Sequence, residues 1–429
     1  MAEKQPSPSK EMRDLYRPRI IDARISEKLH AFGGVLITGP RSCGKSWTGI
    51  SHSKSAIFVG DEDNNRFAAL NPQSALDGEH PHLVDEWQDV PKLWDVARRN
   101  IDLSHKKGMY IFTGSSVPPS EKTLHTGIGR FARMHMRTMS LFESGDSNGS
   151  VGLSALFDTG RADNAPSKID YQQAVRLMCR GGWPGALGVD DASAIGMSYD
   201  YIDSIVNLDM SRVDGKRRNR ATAELLIKSL ARNSASSASI STVVADVQDA
   251  EAKISDLTVR SYLEALKKLF IIEEQTAWHP SLRSRTRVRT SPKRHFTDPS
   301  LAAAALGARP GILLKDVRTA GLLFESMCYR DLCVYASASG GRVFHYRDNA
   351  GLEADAVVQL DDGRWGAVEV KLGTFDFEKA AANLIRLKNK MAAAGAEEPS
   401  FLMILSASGG GARTRPDGVA EVPADCLGP

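Results

Sequence analysis

Gly39-Pro40-Arg41-Ser42-Cys43-Gly44-Lys45-Ser46 follows the apolar run Gly34 to Thr38 and leads into a helical pattern beginning near Lys45. It fits G-x-x-x-x-G-K-[ST] in the strand-then-helix context that this motif requires. A phosphate chain needs converging main-chain N–H groups, which only small residues let approach closely, together with a cation and a hydroxyl for Mg²⁺. Lys45 is expected to reach the β and γ phosphates of ATP and Ser46 to ligate Mg²⁺, with Trp47 closing the binding stretch. The bland alternative is a chance glycine-rich turn. Cys43, inside the loop, is expected to be open to thiol-reactive inhibition.

Working outward, short apolar runs recur at Ala56 to Val59, at Leu83-Val84 and at Met109 to Phe112. Strands this short, separated by helical or loop stretches, imply a parallel sheet covered on both faces, an α/β fold. Leu83-Val84 ends in Asp85-Glu86. There Asp85 is expected to hold Mg²⁺ through Ser46 or water, and Glu86 to polarise the attacking water as catalytic base. An Asp-Glu pair alone is usually solvated surface, but this one follows the phosphate loop at a distance that one or two crossovers fill. Met109 to Phe112 ends in Thr113-Gly114-Ser115-Ser116. These polar groups stand where a γ-phosphate sensor belongs, or form a simple Ser/Gly turn. In Gly129-Arg130-Phe131-Ala132-Arg133 the guanidinium groups can stabilise transition-state charge on a neighbouring subunit, which requires an oligomer, or can be surface and packing residues.

Composition bounds the rest. The 429 residues, at roughly 150 per domain, give about three domains. Hydrophobic residues at 42% and charged residues at 25% exclude global disorder. No apolar run approaches the length of a membrane helix, and the polar start lacks a secretory signal, so a cytoplasmic protein with no membrane role is expected. Five scattered cysteines form neither a disulfide framework nor a zinc site. A net charge of +3 is too small to argue for nucleic acid globally.

The polar stretch Ser144 to Ser150 reads as the end of the first domain. From Tyr171 to Arg212 the pattern is helical except for Gly181-Gly182-Trp183-Pro184-Gly185. Helices are expected at Thr222 to Ala231, Ser241 to Val247 and Ser255 to Phe270, with Ser241 and Ser255 as N-caps, and an extended region follows to Thr297. Three helices and a hairpin suggest a winged helix. The last part alternates helix and strand: Gly321 to Ala336, Arg342 to Arg347, Ala354 to Gln359, Gly366 to Leu372, Asp376 to Met391 and Phe401 to Ser406.

Arg283, Arg285, Arg287 and Arg289 recur at every second residue, followed by Lys293 and Arg294 with no acid among them. On a strand the guanidiniums of Arg283, Arg285, Arg287 and Arg289 share one face, which can meet a nucleic-acid backbone or guard an exposed edge strand by like charge. Asp355 lies in one expected strand and Glu369-Val370-Lys371 in the next, so Glu369 and Lys371 share a face. With Glu325 on the preceding helix, these groups form a D…E-x-K arrangement that can activate water on a divalent metal, with Glu353 as a lesser neighbour; a surface ion pair is the plain alternative.

GPRSCGKS, LVDEWQ, YIFTGSS, GRFARMHMRTMSLFE and RGGWPGAL together resemble a bacterial and archaeal family of AAA-type ATPases. That family carries a C-terminal domain of unknown function with a restriction-endonuclease-like core, and the likeness spans Tyr16 to Leu427. The resemblance implies a polar tail over 1–17, an ATPase core over 18–150, a helical connector over 151–215, a winged helix over 216–298 and a nuclease-like α/β domain over 299–429. It implies Ser115 as sensor and Arg130 as arginine finger. The expected function is a Mg²⁺-dependent ATPase, as a homo-oligomer, coupling nucleotide state to a C-terminal module that acts on DNA. The alternative is an ATP-dependent oligomeric switch that recognises a protein partner without cutting.

Overall fold

A computed structural model describes residues 13–116, 126–249, 254–281 and 290–429. The chain divides into two compact units, a coarser partition than the five parts read from sequence. The first runs to Arg137 and includes Leu208–Arg217 and Ala265–Phe270; the second holds Thr138–Asn207, Arg218–Glu264 and Ile271–Pro429.

In the first unit five strands, β1 (Gly34–Thr38), β2 (Ser55–Phe58), β3 (His82–Asp85), β4 (Tyr110–Gly114) and β5 (Phe131–His135), form a parallel sheet of order β2-β3-β4-β1-β5. Helix α1 (Asp22–Ala31) leads into β1, and the crossovers that parallel pairing needs include α2 (Lys45–His52), α3 (Glu62–Leu70) and α4 (Lys92–Ser104). Side chains alternate across the sheet. Val35, Ile37, Leu83 and Ile111 join Ile25 and Ile50 on one face, while Leu36, Val84 and Phe112 join Trp87, Trp94 and Ile101 on the other. Trp94 stacks on Trp87 and Phe131 at centroid distances of 5.0 and 4.2 Å. With every strand running the same way, Thr38, Asp85 and Gly114 all emerge at one edge. This is the α/β parallel sheet that the sequence implies.

The second unit begins at Thr138, ahead of the polar stretch Ser144–Ser150. That stretch does bury polar groups: the Ser147 hydroxyl is buried and donates to the Leu427 carbonyl at 2.6 Å, and Asn148 N–H donates to Asp425 O at 2.8 Å. Helices α5 (Tyr171–Arg180) and α6 (Asp191–Ser204) flank the glycine-rich breaker. Its role is a close approach: a Cβ on Gly182 would lie 2.0 Å from the Met139 carbonyl oxygen. Gly182 N–H and the Thr138 hydroxyl both donate to buried Asp298, which pairs with buried Arg330 at 3.0 Å. Burial alone would lift the Asp298 carboxyl, but Arg330 and these donors outweigh it and hold it low.

Helices α7 (Arg220–Arg232), α8 (Ile240–Gln248) and α9 (Asp256–Lys268) precede an antiparallel pair, β8 (Ile272–Gln275) and β9 (Lys293–Phe296). Ser255 caps α9 as expected, its hydroxyl accepting Thr258 N–H at 3.2 Å. For α8 the cap is Ser239, which accepts Thr242 N–H at 3.1 Å, and not Ser241. The helix α10 (Pro299–Ala305) and the 22-residue α11 (Val317–Ala338) follow.

Short strands β6 (Val151–Gly152) and β16 (Leu427–Gly428) pair with each other. A seven-stranded mixed sheet of order β10-β11-β12-β13-β15-β14-β7 completes the unit. Its members are β7 (Ala165–Pro166), β10 (Arg342–Arg347), β11 (Glu353–Gln359), β12 (Trp365–Lys371), β13 (Phe401–Ser406), β14 (Gly411–Thr414) and β15 (Ala420–Pro423). α12 (Phe377–Ala393) lays Leu384 and Leu387 in a core with Val357, Ala367 and Ile404. No helix of the described residues is long and apolar enough to cross a membrane.

Candidate functional site

The loop after β1 turns twice through left-handed backbone, at Ser42 (φ 59°) and at Gly44 (φ 104°), before α2 begins at Lys45. Such turns aim successive N–H groups into one concavity, and the positive end of the helix adds to the attraction for an anion. Gly39 permits the loop to sit against the sheet, since a Cβ there would lie 2.1 Å from the Met136 carbonyl oxygen. Behind the loop, the buried Arg19 guanidinium donates to Cys43 O at 2.9 Å and to Arg137 O at 3.0 Å, clamping the turn to the end of β5. Cys43 is 0% exposed and faces Met136 O, so the expectation of a reactive thiol is overturned: the loop's back side packs into the core.

Lys45 is buried and its ammonium donates to Pro40 O at 2.7 Å. Ser46 Oγ donates to Asp85 Oδ1 at 2.9 Å, and the Thr113 hydroxyl donates to the same oxygen. Burial pushes the Asp85 carboxyl above its ordinary value, with Glu86 adding to the push, while the Thr113 and Ser46 hydroxyls and the Lys45 charge oppose it. A cation held at this point would favour the ionised form. Glu86 stands just past β3 in left-handed backbone (φ 55°). Its Oε2 accepts the Ser115 hydroxyl at 2.8 Å and the Gln88 amide. β4 therefore delivers two hydroxyls at once, Thr113 to Asp85 and Ser115 to Glu86.

The structure thus brings Lys45, Ser46, Asp85, Glu86 and Ser115 to the carboxyl edge of one sheet. Arg130 is elsewhere. It precedes β5, whose parallel register with β1 (Gly34↔Phe131 to Thr38↔His135) puts it at the opposite edge, and it pairs with Asp102 at 2.7 Å. Five strand residues at about 3.3 Å each separate it from the loop by roughly 16 Å. Arg41, half exposed, donates to buried Asp209 at 2.7 Å, within the Leu208–Arg217 segment. Arg19, Gln88 and Asp209 are contributors that the sequence did not disclose, and Thr113, read there among the polar groups at a sensor position, donates to Asp85.

In the second unit Glu325, Asp355, Glu369 and Lys371 lie close together, with Lys293 among them. Lys371 Nζ lies 2.6 Å from Glu369 Oε2 and 3.7 Å from Asp355 Oδ2. Asp355 Oδ2 accepts Val370 N–H at 2.8 Å, and Asn383 donates to Glu369 Oε1 at 2.7 Å. Burial pushes Glu325 up to about 7, with the Asp355 charge adding to it. Glu353 stands apart, paired with Arg347 at 3.2 Å. Lys293 and Arg294 are not an exposed continuation of the arginine row: Lys293 is buried beside Glu325, and Arg294 reaches Ala238 O at 2.6 Å. Arg283, Arg285, Arg287 and Arg289 lie outside the described residues.

Family models match residues 32–144 as an AAA domain, 171–311 as a domain of unknown function (DUF8612) and 320–418 as a domain of unknown function (DUF4143). The chain is similar to the uncharacterized protein Rv2008c of Mycobacterium tuberculosis, 25% identical over 357 residues that cover 81% of this chain and 72% of that protein. Among solved structures it is similar to the Walker-type ATPase PABY2304 of Pyrococcus abyssi, at 15% identity and TM-score 0.43, covering 70% of this chain and 98% of that one. It is also similar to the ORC1 protein of Aeropyrum pernix in complex with DNA, at 11% identity and TM-score 0.31, covering 69% of this chain and 94% of that one. The AAA match falls on the strands and loop that carry Lys45, Asp85 and Glu86, and with the DUF4143 match behind it the chain is similar to AAA-type P-loop ATPases that carry a C-terminal domain of unknown function.

Proposed function

We propose that the chain binds ATP with Mg²⁺ and hydrolyses it, and that nucleotide state in the first unit governs what the second unit recognises. One observation carries this reading: Ser46 Oγ and Asp85 Oδ1 lie 2.9 Å apart at the carboxyl edge of a parallel sheet, directly after the phosphate-type loop, with Glu86 beside them. A hydroxyl and a carboxylate are the hard oxygen donors that Mg²⁺ takes in nucleotide sites. When bound, the ion neutralises charge on the β and γ phosphates. Lys45 would add a point charge for the same phosphates, Glu86 would accept the proton of the attacking water, and Ser115 holds the Glu86 carboxylate and would serve as sensor of the γ phosphate. Arg130, remote from its own loop, is assigned to a neighbouring subunit's nucleotide, so the working form is a homo-oligomer.

Arg41 supports this reading, because it bonds Asp209 within the first unit, on the Leu208–Arg217 segment that continues in sequence into the second unit on both sides. The order α7, α8, α9, β8, β9 supports a winged helix with α9 as the recognition element and the exposed Arg260 on its surface. DNA is the partner proposed for it. Five free, buried cysteines suit a cytoplasmic, reducing compartment.

The test is ATP hydrolysis by the full chain and by Lys45→Ala, with and without duplex DNA, at two salt concentrations. Turnover lost in Lys45→Ala supports the site. Stimulation by DNA that fades with salt supports the DNA partner. Hydrolysis indifferent to DNA favours the second reading, an ATP-dependent switch on a protein partner without nuclease activity, which the Lys293 arrangement also favours.

A further inference from the structure

The resemblance implies a divalent-metal centre at Glu325, Asp355, Glu369 and Lys371, and the residues present do not fit one. A divalent cation there would have to draw oxygens of these carboxylates to about 2.0–2.6 Å around a common point. What stands between Glu325 and Asp355 instead is the ammonium of Lys293, 2.5 Å from Glu325 Oε1 and 3.4 Å from Asp355 Oδ1. Lys371 takes the other side of Asp355 and bonds Glu369. Two further acceptor positions are also engaged, Asp355 Oδ2 by Val370 N–H and Glu369 Oε1 by Asn383. Among the described residues no group of three metal-type ligands converges.

Lys293 is held in place by its backbone. It pairs with Gln275 in the β8–β9 ladder, and the Gln275 side chain donates to Phe344 O and Asp355 O, each at 2.9 Å. The side chain is about as buried as its partners, at 10% exposure against 15% and 17% for Glu325 and Asp355. An ammonium and a divalent cation repel, and one position cannot hold both.

We infer that the Lys293 ammonium stands in for the bridging metal, so the centre is a metal-free ion-pair hub that fastens the β8–β9 hairpin to the C-terminal sheet and does not cut phosphodiesters. The inference is independent of the nucleotide site. The experiment titrates Mn²⁺ alone into the nucleotide-free full chain, following free Mn²⁺ by electron paramagnetic resonance, for wild type, Asp355→Asn, Lys293→Met and the double variant. Wild type and Asp355→Asn are expected to take up Mn²⁺ alike, and Lys293→Met to gain one site that the double variant loses. A wild-type site that Asp355→Asn removes would overturn the inference, as would a folded Lys293→Met that gains none. Where the variants fail to fold, wild type alone decides: supercoiled plasmid stays intact with Mn²⁺ or Mg²⁺ if the inference holds, and metal-dependent nicking by the chain refutes it.

Discussion

Replacing Glu86 with glutamine separates chemistry from binding, because the local geometry leaves the substitute a place to sit. Glu86 Oε2 accepts the Ser115 hydroxyl at 2.8 Å, Ser115 N–H at 3.4 Å and the Gln88 amide. A glutamine oxygen can accept all three, so its pose is retained while the negative charge and the basicity go. General-base assistance contributes about 10²- to 10⁴-fold, so kcat should fall by that factor, a barrier rise of roughly 3–5 kcal/mol. Nucleotide affinity rests on the loop N–H groups, Lys45 and Ser46, none of which touches the altered group, so Kd should stay within about threefold of wild type, a difference of well under 1 kcal/mol. Single-turnover hydrolysis alongside equilibrium binding of a fluorescent ATP analogue reads both quantities. A Glu86→Gln chain that turns over within about threefold of wild type would refute the assignment of Glu86 as base.

Other consequences are checked as directly. Arg330→Ala strands Asp298 and Asp331 as buried carboxylates, and should cost about 3–5 kcal/mol in urea denaturation; an unchanged midpoint would contradict the stabilising role of the Arg330 pairs. Burial pushes Glu325 up to about 7 from an ordinary 4.5, so in that window the folded chain binds a proton that the unfolded chain has released. The stability this raised value contributes is fully present below the ordinary value and is lost as pH rises to about 7. The wild-type advantage over Glu325→Gln should therefore shrink, by up to roughly 3 kcal/mol, between pH 5 and 7.5, and a gap that widens would contradict the sign. All five cysteines are free and buried, so a thiol reagent should label essentially none in the native chain and all five after unfolding; rapid native labelling of Cys43 would contradict the packing of the loop.

The parts legible in the sequence were the contiguous ones. The phosphate-type loop announces itself because glycine spacing, lysine and hydroxyl are constrained within one turn, and the strands before and after it read as apolar runs buried on both faces. What the sequence concealed arrives from a distance. Arg19 reaches Cys43 and Arg137 across 24 and 118 residues, and Arg41 finds Asp209 across 168. Ser239 and Ser241 differ by two positions on a polar approach to α8, and only backbone geometry selects the first. Lys293 followed an alternating basic run and so read as solvent-facing. Its pairing opposite Gln275 turns it toward Glu325 instead, and strand register of that kind is set by a partner that no local pattern names. The glycine pair at Gly181-Gly182 read as a breaker, whereas its purpose is to let Met139 and Asp298 approach the backbone.

The central claim is a magnesium-nucleotide pocket built from Lys45, Ser46 and Asp85. Calorimetric titration of a non-hydrolysable ATP analogue with Mg²⁺ into wild type and Lys45→Ala tests it most directly. The account predicts saturable binding of one nucleotide per chain in wild type, weakened at least about tenfold, or 1.4 kcal/mol, in Lys45→Ala. Equal binding by the two chains, or none by the wild type, would contradict it.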